Sequence, residues 1–259
     1  MATAPVGRII VERDGSVATV TLDAPPVNAF SLARYIEITE VFTELAVDDD
    51  LCCVILTATG DRAFSAGLDL HEFLAAPVDQ DDERQRIGLA AFDAVGSCPV
   101  PLIGAINGAA FGAGMVFASL CDTRIAADTA RFALPEINVG RCGGAAHAGR
   151  LISQGMVRRM FFTGEPIDAA EALRIGLVEA VVPSVELAVA AADLAHRIAA
   201  KSPLGLRVGK QSLNAIEGLP VKEGYAIEQS FSAKLVQTRD SREALTAVVE
   251  KRAPRFEGR

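Results

Sequence analysis

The chain has 259 residues, half of them hydrophobic, with no tryptophan, two tyrosines and a formal net charge of −8 at pH 7. That acidity argues against a nucleic-acid partner, while a phosphorylated ligand needs only a local basic patch. No apolar run is long enough for a membrane span, and Met1-Ala2-Thr3-Ala4-Pro5-Val6 lacks the basic and apolar regions of a signal peptide, so a soluble cytoplasmic protein without membrane partners is expected.

Ile9–Arg13, the turn Asp14-Gly15-Ser16 and Val17–Leu22 read as a β-hairpin, which Asp23-Ala24-Pro25-Pro26 ends. Ser31 is placed to cap a helix through Ala46, with apolar positions Ile36, Ile38, Phe42 and Leu45. Leu51–Thr57 is a buried strand, and Phe64-Ser65-Ala66-Gly67-Leu68-Asp69-Leu70 turns from it toward a helix. The polar, proline-broken stretch Ala75-Ala76-Pro77-Val78-Asp79-Gln80-Asp81-Asp82 reads as a mobile loop, and Glu83–Val95 as a helix. A second buried strand, Val100–Ile106, leads through Asn107–Gly114 into a helix over Gly112–Leu120. Strands at Thr123–Ala127 and Arg131–Leu134 follow. Beyond Gly143 only Val178–Val182 reads as strand, and 154–163, 168–175, 185–200, 203–214, 219–237 and 240–250 read as helices. The pattern is an α/β core followed by a helical C-terminal region.

The two glycine-containing turns carry chemical information. A strand-to-helix turn leaves backbone N–H groups unpaired, the helix dipole favours negative charge there, and glycine admits close approach. Two such turns side by side can hold one oxygen that gains charge during a reaction, although a pair of ordinary glycine turns accounts for the same residues. Glu136, in Leu134-Pro135-Glu136-Ile137-Asn138-Val139-Gly140, is bordered by apolar residues at a strand end. Partial desolvation there raises a carboxylate's pKa toward neutrality; a solvated loop glutamate is the alternative.

Other chemistries find little in the residues. Among the five cysteines no pair has CxxC spacing, and Cys52, Cys53 and Cys121 read as small buried hydrophobes. The three histidines, His71, His147 and His196, are not clustered, so no metal is expected. Gly108-(x)₃-Gly112-x-Gly114 is not a dinucleotide fingerprint, no P-loop is present, Phe64-Ser65-Ala66-Gly67 lacks the first glycine of a hydrolase elbow, and His71-Glu72-Phe73-Leu74-Ala75 is not HExxH.

Phe64–Leu70, Asn107-Gly108-(x)₃-Gly112-Ala113-Gly114, Cys121-Asp122-(x)₄-Ala127, Leu134–Gly140 and the tail Val249–Phe256, in this order and spacing, resemble the crotonase superfamily, the enoyl-CoA hydratase/isomerase family. The resemblance runs from about Ile9 to Phe256. It implies a spiral of ββα units over 1–195 and a helical trimerisation region over 196–259, one functional unit that assembles as a homotrimer or a dimer of trimers. It implies an acyl-CoA substrate, with coenzyme A part of the substrate and no separate cofactor. By position in the family motifs, the N–H groups of Leu68 and Ala113 form the oxyanion hole and Glu136 is the catalytic acid/base. Ser65, Ala66 and Asp69 border the bound CoA, and Lys251 or Arg252 reaches a CoA phosphate from a neighbouring subunit; a capping role for Asp69 and a solvated cationic helix end are the plainer alternatives.

Four positions depart from the family pattern. Ala113 stands where glycine is usual, which keeps the N–H and narrows the mouth. Val116 replaces the second glutamate of two-carboxylate hydratases. Gly143 replaces a proline, and His147 appears where glycine is common, either as a substitute acid/base or as an exposed residue of a first helical turn. Hydration must deliver water to one carbon and a proton to its neighbour, whereas moving a double bond needs one base. Δ3-Δ2-enoyl-CoA isomerisation is therefore expected; the alternatives are hydration of a 2-enoyl-CoA, with His147 or an ordered water replacing the glutamate, and a non-catalytic acyl-CoA-binding paralogue. Residues 75–88, Met115, Phe117, Arg141 and Cys142 are expected to shape the acyl pocket.

Overall fold

The computed structural model describes residues 7–258. Met1–Val6, read above as lacking a leader, and Arg259 lie outside the described residues. Strands β1 (Arg8–Asp14) and β2 (Val17–Asp23) form the expected hairpin, with Asp14 opposite Val17 and Gly15 at φ 57° in the turn. Ser31 caps α1 (Leu32–Ala46) by accepting from Arg34 N. The buried stripe of α1 is Tyr35, Ile38, Phe42 and Leu45, three or four residues apart; Ile36, expected inside, falls off that stripe and faces outward.

From there the chain repeats one gesture. Strand β3 (Cys53–Ala58) joins a large sheet, β4 (Ala63–Ser65) joins a small one, and α2 (Leu70–Ala75) and α3 (Asp81–Gly96) follow. Then β5 (Leu102–Ile106) adds to the large sheet and β6 (Ala109–Phe111) to the small one, followed by α4 (Ala113–Leu120). Next β7 (Thr123–Ala127) and β8 (Arg131–Ala133) do the same, and a 3-10 turn, Pro135–Val139, takes the helical place before the single-turn α5 (Ala145–Ala148). The rest is α6 (Gln154–Thr163), β9 (Ile167–Asp168), α7 (Ala169–Arg174), β10 (Ala180–Val182), α8 (Leu187–Ala199), α9 (Pro203–Ile216), α10 (Val221–Val236) and α11 (Arg239–Glu250). The large sheet has the order β1-β2-β3-β5-β7-β10 and the small one β4-β6-β8-β9. This is the spiral of ββα units.

The stretch expected to be a mobile loop is mostly helical. A 3-10 turn at Val78–Gln80 runs straight into α3, whose first turn carries Asp81, Asp82 and Glu83. Acidic residues suit the positive end of a helix, so the same residues that make the stretch polar start the helix.

Both faces of the large sheet are covered, as parallel strands require. Val54 and Leu56 join the main core with Phe30, Phe64, Phe117 and Phe132, while Cys53 and Ile55 pack with Ile103 and Ile125 under Leu187, Ala191 and Ala195 of α8. Each large apolar side chain so buried contributes roughly 1.5–3 kcal/mol. The boundary expected at 195/196 therefore falls inside α8, a helix of the core. Beyond it the helices expose Val221, Tyr225, Val236, Leu245, Val248 and Val249. Among the described residues no helix is long and apolar enough to cross a membrane.

Candidate active site

The small sheet brings the sequence motifs together. Strands β4, β6 and β8 are parallel neighbours, with Ala63 opposite Ala109 and Ala109 opposite Arg131. Their C-terminal ends lie side by side. The turn Ala66–Asp69 leaves the first, Gly112-Ala113 the second, and Pro135-Glu136 the third. The sequence reading attached the glycine turns to β3 and β5; the strands that carry them are β4 and β6, at three residues each too short to show a period.

The first turn is held by segment 27–30. Ala66 N donates to Val27 O at 2.9 Å, Phe30 N to Gly67 O at 2.7 Å and Asp69 N to Phe30 O at 2.9 Å. In extended chain, alternate N–H groups point opposite ways. The N–H of Leu68 thus points away from that pairing, and it has no acceptor among the described residues. Ala113 opens α4, where a helix has no carbonyl for its first N–H. Gly67, at φ 94°, lets the turns touch: a Cβ there would lie 3.3 Å from Ala113 N and 2.8 Å from Phe111 O. The turns that carry these two N–H groups, neither with an acceptor among the described residues, are thereby in contact.

Glu136 sits in the 3-10 turn rather than at a strand end. Pro135 starts that turn, and Arg141 N closes it by donating to Glu136 O at 3.0 Å. Oε1 faces bare backbone, 3.4 Å from where Gly143 would carry a Cβ and 3.5 Å from the same points at Gly112 and Gly144. Oε2 is buried and has no hydrogen-bond partner among the described residues. Burial raises the Glu136 pKa above the usual glutamate range, partly offset by a hydrogen bond from backbone. Burial and then the charge of Glu136 also raise the pKa of the neighbouring Tyr35 hydroxyl. Val116 closes the other side, its Cγ2 3.4 Å from the Gly144 position.

A cavity of about 710 Å³ contains these groups, and Ala66, Leu68, Asp69, Ala113, Glu136, Arg141 and Cys142 all line it. Ser65 does not. It is fully buried behind the wall, its Oγ accepting from Gly67 N at 3.1 Å. Asp69 caps α2, accepting from His71 N and Glu72 N at 3.0 and 3.1 Å. Met115 and Phe117, expected in the acyl pocket, are core residues, and Val116 between them lines the cavity instead. Lys251 ends α11 at φ 54°, exposed and away from this cavity, and Arg252 is occupied by Glu243 at 2.6 Å and Glu250 at 2.7 Å.

His147 is not among the residues lining this cavity. It lines a separate polar cavity of about 330 Å³ with Asp122, Arg150, Asn214 and Glu217. Its pKa is lowered by burial first and then by Arg150. Tyr35, Phe73 and Phe92, which the sequence did not single out, also line the main cavity, as do Asp81 and Arg84 from the stretch 75–88 expected to shape it. Arg141 and Asp81 meet across 60 positions of sequence, at 2.8 and 3.2 Å, and no local pattern announces that pair. Among the described residues no group of three or more His, Cys, Asp and Glu is placed to hold a metal ion.

The cysteines divide sharply. Cys52, Cys53, Cys98 and Cys121 are buried, and burial pushes the Cys53 and Cys121 thiols up to about 12. Cys142 is exposed on the cavity wall. Iodoacetamide on the native protein is expected to label Cys142 alone, with an acyl-CoA slowing the reaction; peptide mapping that finds a second labelled cysteine would contradict the packing described.

Comparison with known proteins agrees with this geometry. Residues 12–259 match the model of the enoyl-CoA hydratase/isomerase family. A short-chain-enoyl-CoA hydratase of Clostridium acetobutylicum is 34% identical over 251 residues, covering 95% of this chain and 96% of the relative. A 2,3-dehydroadipyl-CoA hydratase of Escherichia coli K12 is 35% identical over 262 residues, covering 98% and 100%. The crystal structure of an enoyl-CoA hydratase from Bacillus anthracis superposes with a TM-score of 0.94 at 32% identity, covering 97% of this chain and all of that one. The fold is that of the crotonase superfamily. The chain belongs to the enoyl-CoA hydratase/isomerase family and is an enzyme of that family.

Proposed function

We propose that the protein moves a carbon–carbon double bond in an acyl-CoA thioester from the 3- to the 2-position, with Glu136 as its single base. The observation that carries this reading is the accounting of acids in the cavity. Asp69 is spent on capping α2, Glu72 accepts from Leu32 N at 2.9 Å, Asp81 is paired with Arg141, and Val116 stands where a second carboxylate would. Of these four carboxylates only Glu136 has a buried oxygen without a partner among the described residues. In the reaction Glu136 takes a proton from C2, and the C–H electron pair passes to the thioester oxygen, giving a dienolate. The N–H groups of Leu68 and Ala113 hold that oxygen. The proton then returns from Glu136 to C4, and the double bond reforms between C2 and C3 in conjugation with the thioester.

Ala66 and Asp69, with Ser65 behind them, border the CoA in this reading, and Lys251 meets a phosphate from a neighbouring protomer. The apolar side chains exposed on α10 and α11 support a homotrimer or a dimer of trimers, in which they would be covered. The spiral and the C-terminal helices then act as one unit, in the cytoplasm.

The names of the relatives favour a second reading, hydration of a 2-enoyl-CoA. Purified protein given a 3-enoyl-CoA and a 2-enoyl-CoA in parallel separates the two. Conjugation gained by the 3-enoyl ester is the expected result. Water added to the 2-enoyl ester, with the 3-enoyl ester unchanged, would replace isomerase by hydratase, and binding without turnover of either would make the protein a carrier.

A further inference from the structure

Four carboxylates and two guanidiniums line the main cavity. Three of the carboxylates have internal partners and the fourth, Glu136, is the proposed base. Of the cations, Arg141 donates to both oxygens of Asp81 and stacks on Phe73 with its guanidinium carbon 4.1 Å from the ring centre. Arg84 lies over the same ring at 5.8 Å and has no carboxylate within ion-pair distance among the described residues. Both guanidiniums lie over one ring, but only Arg141 has an ion pair, so among the described residues the Arg84 charge is the one left without an ion-pair partner on the cavity wall.

Helix α3 fixes where that charge stands. Positions 84, 88 and 92 are one turn apart, and Arg84, Gln85, Gly88, Leu89 and Phe92 all face the cavity. The inner end is aromatic: Phe92 is 5.0 Å from Phe117 and 5.9 Å from Tyr35, ring centre to ring centre. Eight residues at 1.5 Å each put Arg84 about 12 Å along the helix axis from Phe92. A chain lying along α3 meets an aromatic ring, then leucine and bare glycine, and then a cation. A guanidinium without an acid partner offers its donors as a fork, the geometry that suits carboxylate and phosphate oxygens.

We propose that Arg84 holds an anionic oxygen group of the thioester ligand, either a carboxylate at the far end of the acyl chain or a phosphate of the CoA. The inference rests on reading the cavity as an acyl-CoA site, but not on the double-bond shift.

Equilibrium binding tests it without turnover. The parent protein, Arg84→Gln and Arg84→Lys are titrated with hexanoyl-CoA, with adipoyl-CoA, which has the same chain length and ends in a carboxylate, and with the two corresponding pantetheine thioesters, which lack the nucleotide phosphates. Arg84→Gln is expected to weaken one class by about tenfold, the loss of a charge-assisted contact at a half-exposed site, and Arg84→Lys by less. A loss confined to the two adipoyl esters assigns the carboxylate. A loss shared by both CoA esters and absent from both pantetheine esters assigns the phosphate. Affinities within twofold of the parent for all four, or an equal loss on hexanoyl-pantetheine, which carries no anion, overturn the proposal and leave the Glu136 isomerase standing. Failure of the parent to bind any of the four overturns the proposal and the acyl-CoA reading of the cavity together.

Discussion

Glu136→Gln is expected to lower kcat by about 10²–10⁴-fold, the span of a lost general acid/base, and at the same time to raise the melting temperature at neutral pH. Both effects come from one placement. Glu136 is half-buried against Gly112, Gly143 and Gly144, with Oε2 lacking any donor among the described residues, so its charged form loses water without full repayment. The folded pKa is raised by that burial. The folded protein then binds more protons than the unfolded chain between the two pKa values. The stability contributed by Glu136 is complete below its unfolded pKa of about 4.3 and is lost as pH rises through the folded value. Glutamine has no charge to desolvate. The melting temperatures of variant and parent should therefore meet near pH 4 and separate as pH increases, and the acid limb of the parent's kcat/KM should follow the same raised pKa. Unchanged kcat would remove Glu136 from the chemistry. A melting difference flat from pH 4 to 8 would mean that the carboxylate is not desolvated.

Much of this site was legible in the sequence because its parts are local. A donor turn needs a residue free to take φ 94°, and only glycine does so cheaply, so Gly67 stands out within its motif. A glutamate following a proline and flanked by apolar residues marks Glu136 in the same way. The three-residue strands β4 and β6 were invisible, since alternation needs more length to register. Residues 81–82 were misread because acidic composition describes a loop and a helix N-terminus equally well. His147 stayed open between two roles for a different reason. It stands three residues after Gly144, but which cavity it enters depends on the direction of a single-turn helix that no spacing rule fixes. The partnership of Arg141 with Asp81 and Phe73, and the solitude of Arg84, are set by how the turn after β8 faces α2 and α3. Such facts belong to the packing of distant segments and have no local signature.

Gly67→Ala should lower kcat by about 10²–10³-fold, the cost of losing one oxyanion donor. The added Cβ would meet the backbone oxygen of Phe111 at 2.8 Å and lie 3.3 Å from Ala113 N, and φ 94° is a conformation that alanine rarely adopts. Neither neighbour is a flexible side-chain end, so relief requires the two turns to move apart, and those turns carry the Leu68 and Ala113 N–H groups. A loss of activity through general destabilisation must be separated from this. Gly15→Ala supplies the comparison, because Gly15 also has positive φ, 57°, but nothing lies within 4 Å of its Cβ position. That variant should lose about 1 kcal/mol of stability and keep its rate. Melting temperatures and kcat on the 3-enoyl ester, measured for both variants, decide the matter. A Gly67→Ala protein that turns over at the parental rate would show that the two turns need not touch. A single oxygen held between Leu68 and Ala113 would then no longer explain why β4 and β6 end side by side.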